Sequence, residues 1–277
     1  MCGRYVNVSK IEAIEKRFKV EFIPHADKQM ELFNTNVSPG NFAPVITNTE
    51  PDKAQMMMFG FTPSWAKKKM YVFNARSEGD HNKDNDPNFS GAKGIISKPM
   101  FRSSIRKKRC LVIADAVIEG PKDKKLSKPY LVYRKDKERP FAMAGIWDSW
   151  ADKETGEVLE SFAIITARSN GLMQKIGHHR SPVILSKDDE KAWLNSELEL
   201  SEVTALLEPF DDTDFNAYPI DAAIKAPRAN GIELLKPIGQ RLIPEYDYVI
   251  YEELELIGMG ETKAKKRREN EQGNLFD

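Results

Sequence analysis

The chain predicts an α+β fold, a single domain built on an antiparallel, barrel-like β-sheet with a few flanking helices. Three observations lead there. Short β-type runs recur along the chain, separated by turns rich in Gly, Pro, Asn and Asp. Helical periodicity appears in only a few segments. No internal repeat is visible, and 277 residues with 40% apolar content suffice for one real core. The domain is expected over 2–240, followed by a C-terminal extension over 241–260 and a disordered tail over 261–277.

Taken in order, Tyr5 to Val8 reads as a short strand that holds the N-terminus in the fold. Ser9 and Glu12 have capping-box spacing, and Ile11, Ile14 and Phe18 share one helical face. Asn34 to Gly40 reads as a loop by its Asn, Pro and Gly content. Val45-Ile46 and Gln55 to Phe61 are strands, with Met56, Met57 and Met58 as core filling, and Pro63-Ser64-Trp65 is a turn presenting an indole. Tyr71 to Glu78 starts as a strand and turns polar, and 79–94 is expected to be a mobile surface loop. A basic run from Lys98 to Arg109 leads into an apolar strand, Cys110 to Ala114, that continues through Asp115 to an acidic end at Glu119. A basic hairpin-like turn at Pro121 to Lys128 precedes three more strands, Tyr130 to Tyr133, Phe141 to Trp147 and Ser161 to Thr166. Ser169-Asn170-Gly171 starts a short helical segment delivering His178, and Val183 to Leu185 returns to β character. Ser186 and Ser201 are expected to cap two further helices, the second ending at Pro209. Tyr218 to Ile220 and Leu234 to Ile238 are expected to close the sheet.

Composition excludes several classes. No secretory h-region and no apolar run near 18 residues is present, so a soluble cytoplasmic protein is expected, with no membrane partner. Two cysteines, Cys2 and Cys110, make neither a disulfide framework nor a metal motif. The formal net charge is zero, so any nucleic-acid contact must rest on local patches.

Four places carry chemistry. If Met1 is removed, Cys2 presents an α-amine and a thiol on adjacent carbons, with reference pKa values of about 7.7–8.0 and about 8.5. Such a 1,2-aminothiol condenses with an aldehyde: the amine forms a Schiff base and the thiol closes a thiazolidine ring. By position alone, Cys2 is most simply a small residue beside a start methionine. Asn74-Ala75-Arg76 brings an amide and a guanidinium out together at a strand end. Glu119 closes an apolar strand, where desolvation favours the protonated form of a carboxyl that passes protons. His178-His179-Arg180 is a dense polar cluster between apolar stretches, and histidine suits acid–base work. No carboxylate or cysteine stands at ligand spacing from the two histidines, so neither metal nor cofactor is expected. Cys110 lies inside an apolar strand and reads as buried and inert.

Together these residues resemble the SOS response-associated peptidase (SRAP) family, the abasic-site crosslinking proteins. The resemblance begins at Cys2-Gly3-Arg4-Tyr5 and runs through Asn36-Val37-Ser38-Pro39-Gly40, Gly60 to Trp65 and Asn74 to Glu78. It continues through Arg109-Cys110-Leu111, Ala114-Asp115, Glu119, Thr166-Ala167 and His178 to Pro182, ending at Gly231 to Pro237. The resemblance implies that Cys2 is the nucleophile and that Asn74 orients the N-terminal residue or the sugar. It implies that Glu119 shuttles protons and that His178 assists at the sugar hydroxyl and in reversal. Arg4, Arg76 and Arg180 would bind phosphates, Asn36 and Pro39 would belong to the DNA-binding surface, and Trp65 would stack on a base. Two departures stand out. Ala116-Val117-Ile118-Glu119-Gly120 lacks the aromatic residues the family places around its acid, and Ala226 stands where the family often has Asn.

The function expected from the resemblance is covalent capture of abasic sites in single-stranded DNA, by a nucleoid-associated monomer acting through Cys2 after loss of Met1. Two rivals remain. One is a cysteine peptidase or amidase using the Cys2 thiol with His178; the other is a non-catalytic single-strand binding module using the basic run at 98–109. The tail ends in Gln272-Gly273-Asn274-Leu275-Phe276, which resembles the short peptide that binds the bacterial sliding clamp through Gln272, Leu275 and Phe276.

Overall fold

The computed structural model describes residues 2–24, 32–136, 138–226 and 228–245. Met1, most of the C-terminal extension, and the tail with its clamp-like end lie outside the described residues. Five strands close into a ring: β4 (Phe42–Thr47), β5 (Glu50–Phe59), β7 (Arg109–Ala114), β10 (Phe141–Ala151) and β11 (Val158–Arg168). Neighbours around the ring are antiparallel except at the closure, where β11 runs parallel to β5 through Ser161↔Met58 and Phe162↔Phe59. Three short strands extend the barrel: β2 (Glu21–Ile23) beside β5, and β6 (Asn74–Arg76) and β12 (Arg180–Pro182) beside β11. A second, antiparallel sheet has the order β13 (Phe215–Pro219), β9 (Tyr130–Arg134), β8 (Ala116–Glu119), β1 (Tyr5–Asn7), β3 (Asn34–Val37).

Strand β7 explains how the layers meet. Its run RCLVIA is buried throughout, because both of its faces are covered. Cys110, Val112 and Ala114 join a core shared with Tyr5, Val37, Val117 and Val132 of the second sheet. Leu111 and Ile113 point the other way, into a core with Ile14 of helix α1 (Ile11–Phe18), Trp193 of α4 (Lys187–Leu194) and Val203 of α5 (Leu200–Ala205). The outer face of the second sheet, with Val6, Ala116, Ile118 and Leu131, is covered by Ile224 and Leu235 from two 3-10 turns.

Asp115 is the joint between the two sheets. The expected continuous strand from Cys110 to Glu119 breaks there, and the chain passes from the barrel into the second sheet. The Asp115 carboxylate is fully buried and accepts from the Val8 and Ser9 amides at 2.7 and 2.9 Å and from Ser9 Oγ at 2.5 Å. Ser9 therefore does not cap α1, whose first turn follows Lys10 without a side-chain cap; its hydroxyl anchors the N-terminal strand instead.

Other sequence expectations are corrected as well. Asn34 to Val37 is strand β3, paired through Tyr5↔Val37, because Thr35 and Asn36 hydrogen-bond to Ile224, Ala226, Ala229 and Asn230; only Ser38 to Gly40 turns. Ser201 lies inside α5, where Glu199 and Glu202 form the capping box instead. Ser186 does cap α4. Leu234 to Ile238 forms no strand, the 3-10 turn Ile232–Leu235 packing across the sheet rather than beside it. Packing continues past 240: the Leu242 amide donates to Ala217 O of β13 at 2.8 Å. In 79–94, Gly79 has φ +58 and lies against Gly94, a contact that a Cβ would block at 2.9 Å. That contact brings the two ends of the segment together.

Candidate active site

The candidate site lies where the N-terminus, the end of β8, strand β6 and the turn after α3 (Gly171–Ile176) converge. Cys2 enters just ahead of β1 and is held by backbone and side chain together. Arg4 O accepts from the Ile118 amide at 3.0 Å, and Cys2 O accepts from Asn74 Nδ2 at 2.8 Å. Asn74 can make that contact because β6 runs parallel to β11, pairing Asn74 with Ile164 and Arg76 with Thr166. Asn74 therefore contacts the N-terminal segment at the carbonyl of Cys2.

Glu119 ends β8 opposite Tyr130 and is 2% exposed, so the strand-end carboxyl is sunk into the wall rather than solvated. His178 reaches it from α3 through Gly177, which caps that helix at φ +80, a conformation that favours glycine. Gly177 O accepts from the Lys122 amide at 2.9 Å, tying this turn to the turn after Glu119. The result sets His178 Nδ1 2.6 Å from Gly120 O and Nε2 3.3 Å from Glu119 Oε2. A carbonyl only accepts, so Nδ1 carries the proton and Nε2 faces the carboxyl. Ligand atoms of Cys2, Glu119 and His178 all lie within 4.8 Å of one another. Residues 2, 119 and 178 share no spacing that a sequence motif could register; the fold alone brings them together.

Cys2 is 1% exposed, and burial, followed by the adjacent Glu119 carboxylate, pushes its thiol well above the usual range. The sulfur is therefore held as a thiol beside a proton acceptor. In front of this group lies a cleft of about 510 Å³ lined by Arg4, Pro39, Phe73, Arg76, Glu119, Lys122 and both histidines, among others. Burial first, then neighbouring positive charges that include Lys122 and Arg76, push His179 down to about 3, so it is neutral at physiological pH. A larger cavity of about 710 Å³ is lined by residues such as Arg17, Leu111 and Glu190 and by none of the candidate residues.

The residues the resemblance assigned to DNA fall in four different settings. Arg4, Pro39 and Arg76 line the cleft. Asn36 is buried behind Arg4, accepting from its guanidinium at 2.5 Å and donating to Ile224, Ala226 and Ala229 carbonyls; it braces Arg4 rather than facing the cleft. Arg180 is 1% exposed and bonded to Glu78 at 2.6 Å and to Thr166 O at 2.8 Å, a buried ion pair rather than a surface cation, at a smaller pocket that Asn74 and Arg76 also line. Trp65 is 60% exposed on its turn and does not line the cleft. Arg109, the end of the basic run, is buried and donates to carbonyls of Trp193 and Asn195.

Sequence reasoning missed Phe73 and Lys122 as lining residues, and Glu78 as the partner of Arg180. Phe73 adjoins Asn74 and Lys122 lies three residues past Glu119, and that proximity was the only signal available for either. Asp115, quoted only within a motif, proves to anchor the strand that carries Cys2.

The fold and site together define an α+β protein with a buried thiol near the start of the chain, beside a carboxyl and an imidazole, at a cleft bearing Arg4, Arg76 and Lys122. The chain belongs to the SOS response associated peptidase (SRAP) family, whose model matches residues 1–227. It is 30% identical over 243 residues to the abasic site processing protein YoqW of Bacillus subtilis (strain 168), covering 85% of this chain and 99% of that one. It is 27% identical over 247 residues to the abasic site processing protein HMCES of Xenopus tropicalis, covering 77% and 68%. A crystal structure of a protein from Bacteroides thetaiotaomicron superposes with a TM-score of 0.71 at 29% identity, covering 86% of this chain and all of that one. No helix among the described residues is long and apolar enough to cross a membrane.

Proposed function

We propose that this chain processes abasic sites by capturing them covalently in single-stranded DNA, through the aminothiol that Cys2 presents once Met1 is removed. The observation that carries the reading is the meeting of Cys2, Glu119 and His178 within 4.8 Å beside a cleft bearing Arg4, Arg76 and Lys122. The names of the relatives support abasic-site processing.

The chemistry follows from the donors present. The Cys2 amine adds to the aldehyde of a ring-opened abasic site and water is lost, leaving a Schiff base. The thiol then adds across the C=N bond: sulfur bonds to carbon, and its proton reaches nitrogen. Glu119 can accept that proton and return it, which suits a thiol held protonated until it reacts. Asn74 fixes the Cys2 carbonyl, so both nucleophiles start from one geometry. Cations on the cleft would hold the flanking phosphates.

The proximity of the Cys2 thiol and His178 also favours a second reading, a cysteine peptidase, as the family's name suggests. The amine separates the two, since a peptidase needs only the thiol. The test is intact mass before and after mixing with abasic single-stranded DNA. The mature chain is expected to gain the DNA mass less one water, in an adduct that survives denaturation. Full adduct yield from a chain that retains Met1, whose Cys2 nitrogen is an amide, would overturn the mechanism.

A further inference from the structure

We propose that Cys2, Glu119 and His178 form a zinc site, in which the metal and an aldehyde compete for one thiol. The competition rests on the function proposed above; the coordination does not.

The donor set suits zinc. A thiolate, an imidazole and a carboxylate are its three usual protein ligands. In a tetrahedral site with metal–nitrogen and metal–oxygen bonds of about 2.0–2.2 Å, the nitrogen–oxygen edge is about 3.3–3.5 Å. His178 Nε2 and Glu119 Oε2 are already 3.3 Å apart. The corresponding sulfur–nitrogen edge is about 3.6 Å; the Cys2 sulfur lies within 4.8 Å of both other donors, so metal binding requires it to move in by about 1 Å at most.

Two features beyond the cluster point to a cation. His178 Nδ1 donates to Gly120 O at 2.6 Å, the kind of outer contact that orients a metal-binding imidazole and leaves Nε2 as the ligand. Glu119 Oε1 is buried, with no hydrogen-bond partner among the described residues. A cation between these groups offsets the cost of burying the carboxylate. On binding, the thiol gives up its proton to solvent, so Zn²⁺ with a thiolate and a carboxylate is neutral overall. Removal of Met1 would add a fourth donor, since the Cys2 amine and sulfur together close a five-membered chelate. That same pair is the one an aldehyde requires.

Cobalt(II) is the probe, titrated into the mature chain, with zinc as competitor. One equivalent should produce a sulfur-to-cobalt charge-transfer band that zinc displaces. Cys2→Ser should abolish the band. His178→Ala and Glu119→Gln should weaken affinity at least as much as losing an orienting contact does, about 10–100-fold. Thermal melts check that each variant is folded. No band, or a band that persists in folded Cys2→Ser, would overturn the site. A second arm measures adduct formation with abasic DNA in the presence of zinc and after chelator treatment. Zinc should suppress the adduct and chelator should restore it. A chain that binds cobalt but forms adduct equally fast with zinc would overturn the competition. A chain that binds cobalt and forms no adduct even after chelation would overturn the abasic-site reading and leave the metal site standing.

Discussion

Replacing Glu78 with Ala tests whether Arg180 is part of the wall or part of the DNA surface. Arg180 and Glu78 are 1% and 2% exposed at the side chain and meet at 2.6 Å. Nη2 of Arg180 also donates to Thr166 O on β11. Removing the carboxylate strands a guanidinium with no solvent to turn to, a loss of about 3–5 kcal/mol for a broken buried pair. That is a large part of a domain stability of about 5–15 kcal/mol. Replacing both partners, Glu78→Gln with Arg180→Met, removes the stranded charge and should restore much of the loss. Urea unfolding of Glu78→Gln, Arg180→Met and the double variant measures the coupling directly. The ion pair also predicts a pH response. Burial alone would raise the Glu78 carboxyl, but the Arg180 hydrogen bond and charge outweigh it and hold it below its ordinary value of about 4.5. The folded state thus binds that proton more weakly than the unfolded chain. The contribution is fully present above about pH 4.5 and is lost as pH falls through the depressed value. A loss under about 1 kcal/mol for Glu78→Ala, with an unchanged acid limb, would refute a structural role and return Arg180 to the DNA-binding set.

Further outcomes follow from the same geometry. Glu119→Gln keeps the shape of the wall but removes the proton acceptor, so adduct formation with abasic DNA should slow by about 10²–10⁴-fold in a quenched time course; wild-type kinetics would make Glu119 structural. Asp115→Ala leaves the buried amides of Val8 and Ser9 unpaired, at about 1–3 kcal/mol each, or roughly 2–6 kcal/mol together. Hydrogen exchange should localise the loosening to β1, and adduct yield should fall with it; unchanged protection there would remove the anchoring role. With Arg4, Arg76 and Lys122 on the cleft, non-covalent affinity for single-stranded DNA should fall with salt at a log–log slope of about −0.7 per phosphate, near −2 for three contacts. Arg76→Ala should flatten that slope by about 0.7, whereas a salt-independent affinity would contradict a phosphate-binding cleft.

How much of this was legible in the sequence depends on the range of the interaction. Apolar runs such as Cys110 to Ala114 and Phe141 to Trp147 announced strands, and Ile11, Ile14 and Phe18 announced a helix, because their periodicity is local. Asn34 to Val37 misled, since its polar composition says turn while long-range bonds to Ile224, Ala229 and Asn230 hold it extended. Ser9 misled for the same reason: a cap three residues from its partner is visible in sequence, and a carboxylate 106 residues away is not. At the site, Cys2, Asn74, Glu119 and His178 could be named as residue types suited to the chemistry. Their meeting could not be read, because it depends on the parallel pairing of β6 with β11, on the left-handed turn at Gly177 and on the joint at Asp115. Burial decided the rest. Arg4, Arg76 and Arg180 are the same residue type to a reader of the chain, and only tertiary packing places two of them on the cleft and pairs the third with Glu78. A charge gains by facing a ligand or by facing a counter-ion, and side-chain chemistry alone does not choose between the two.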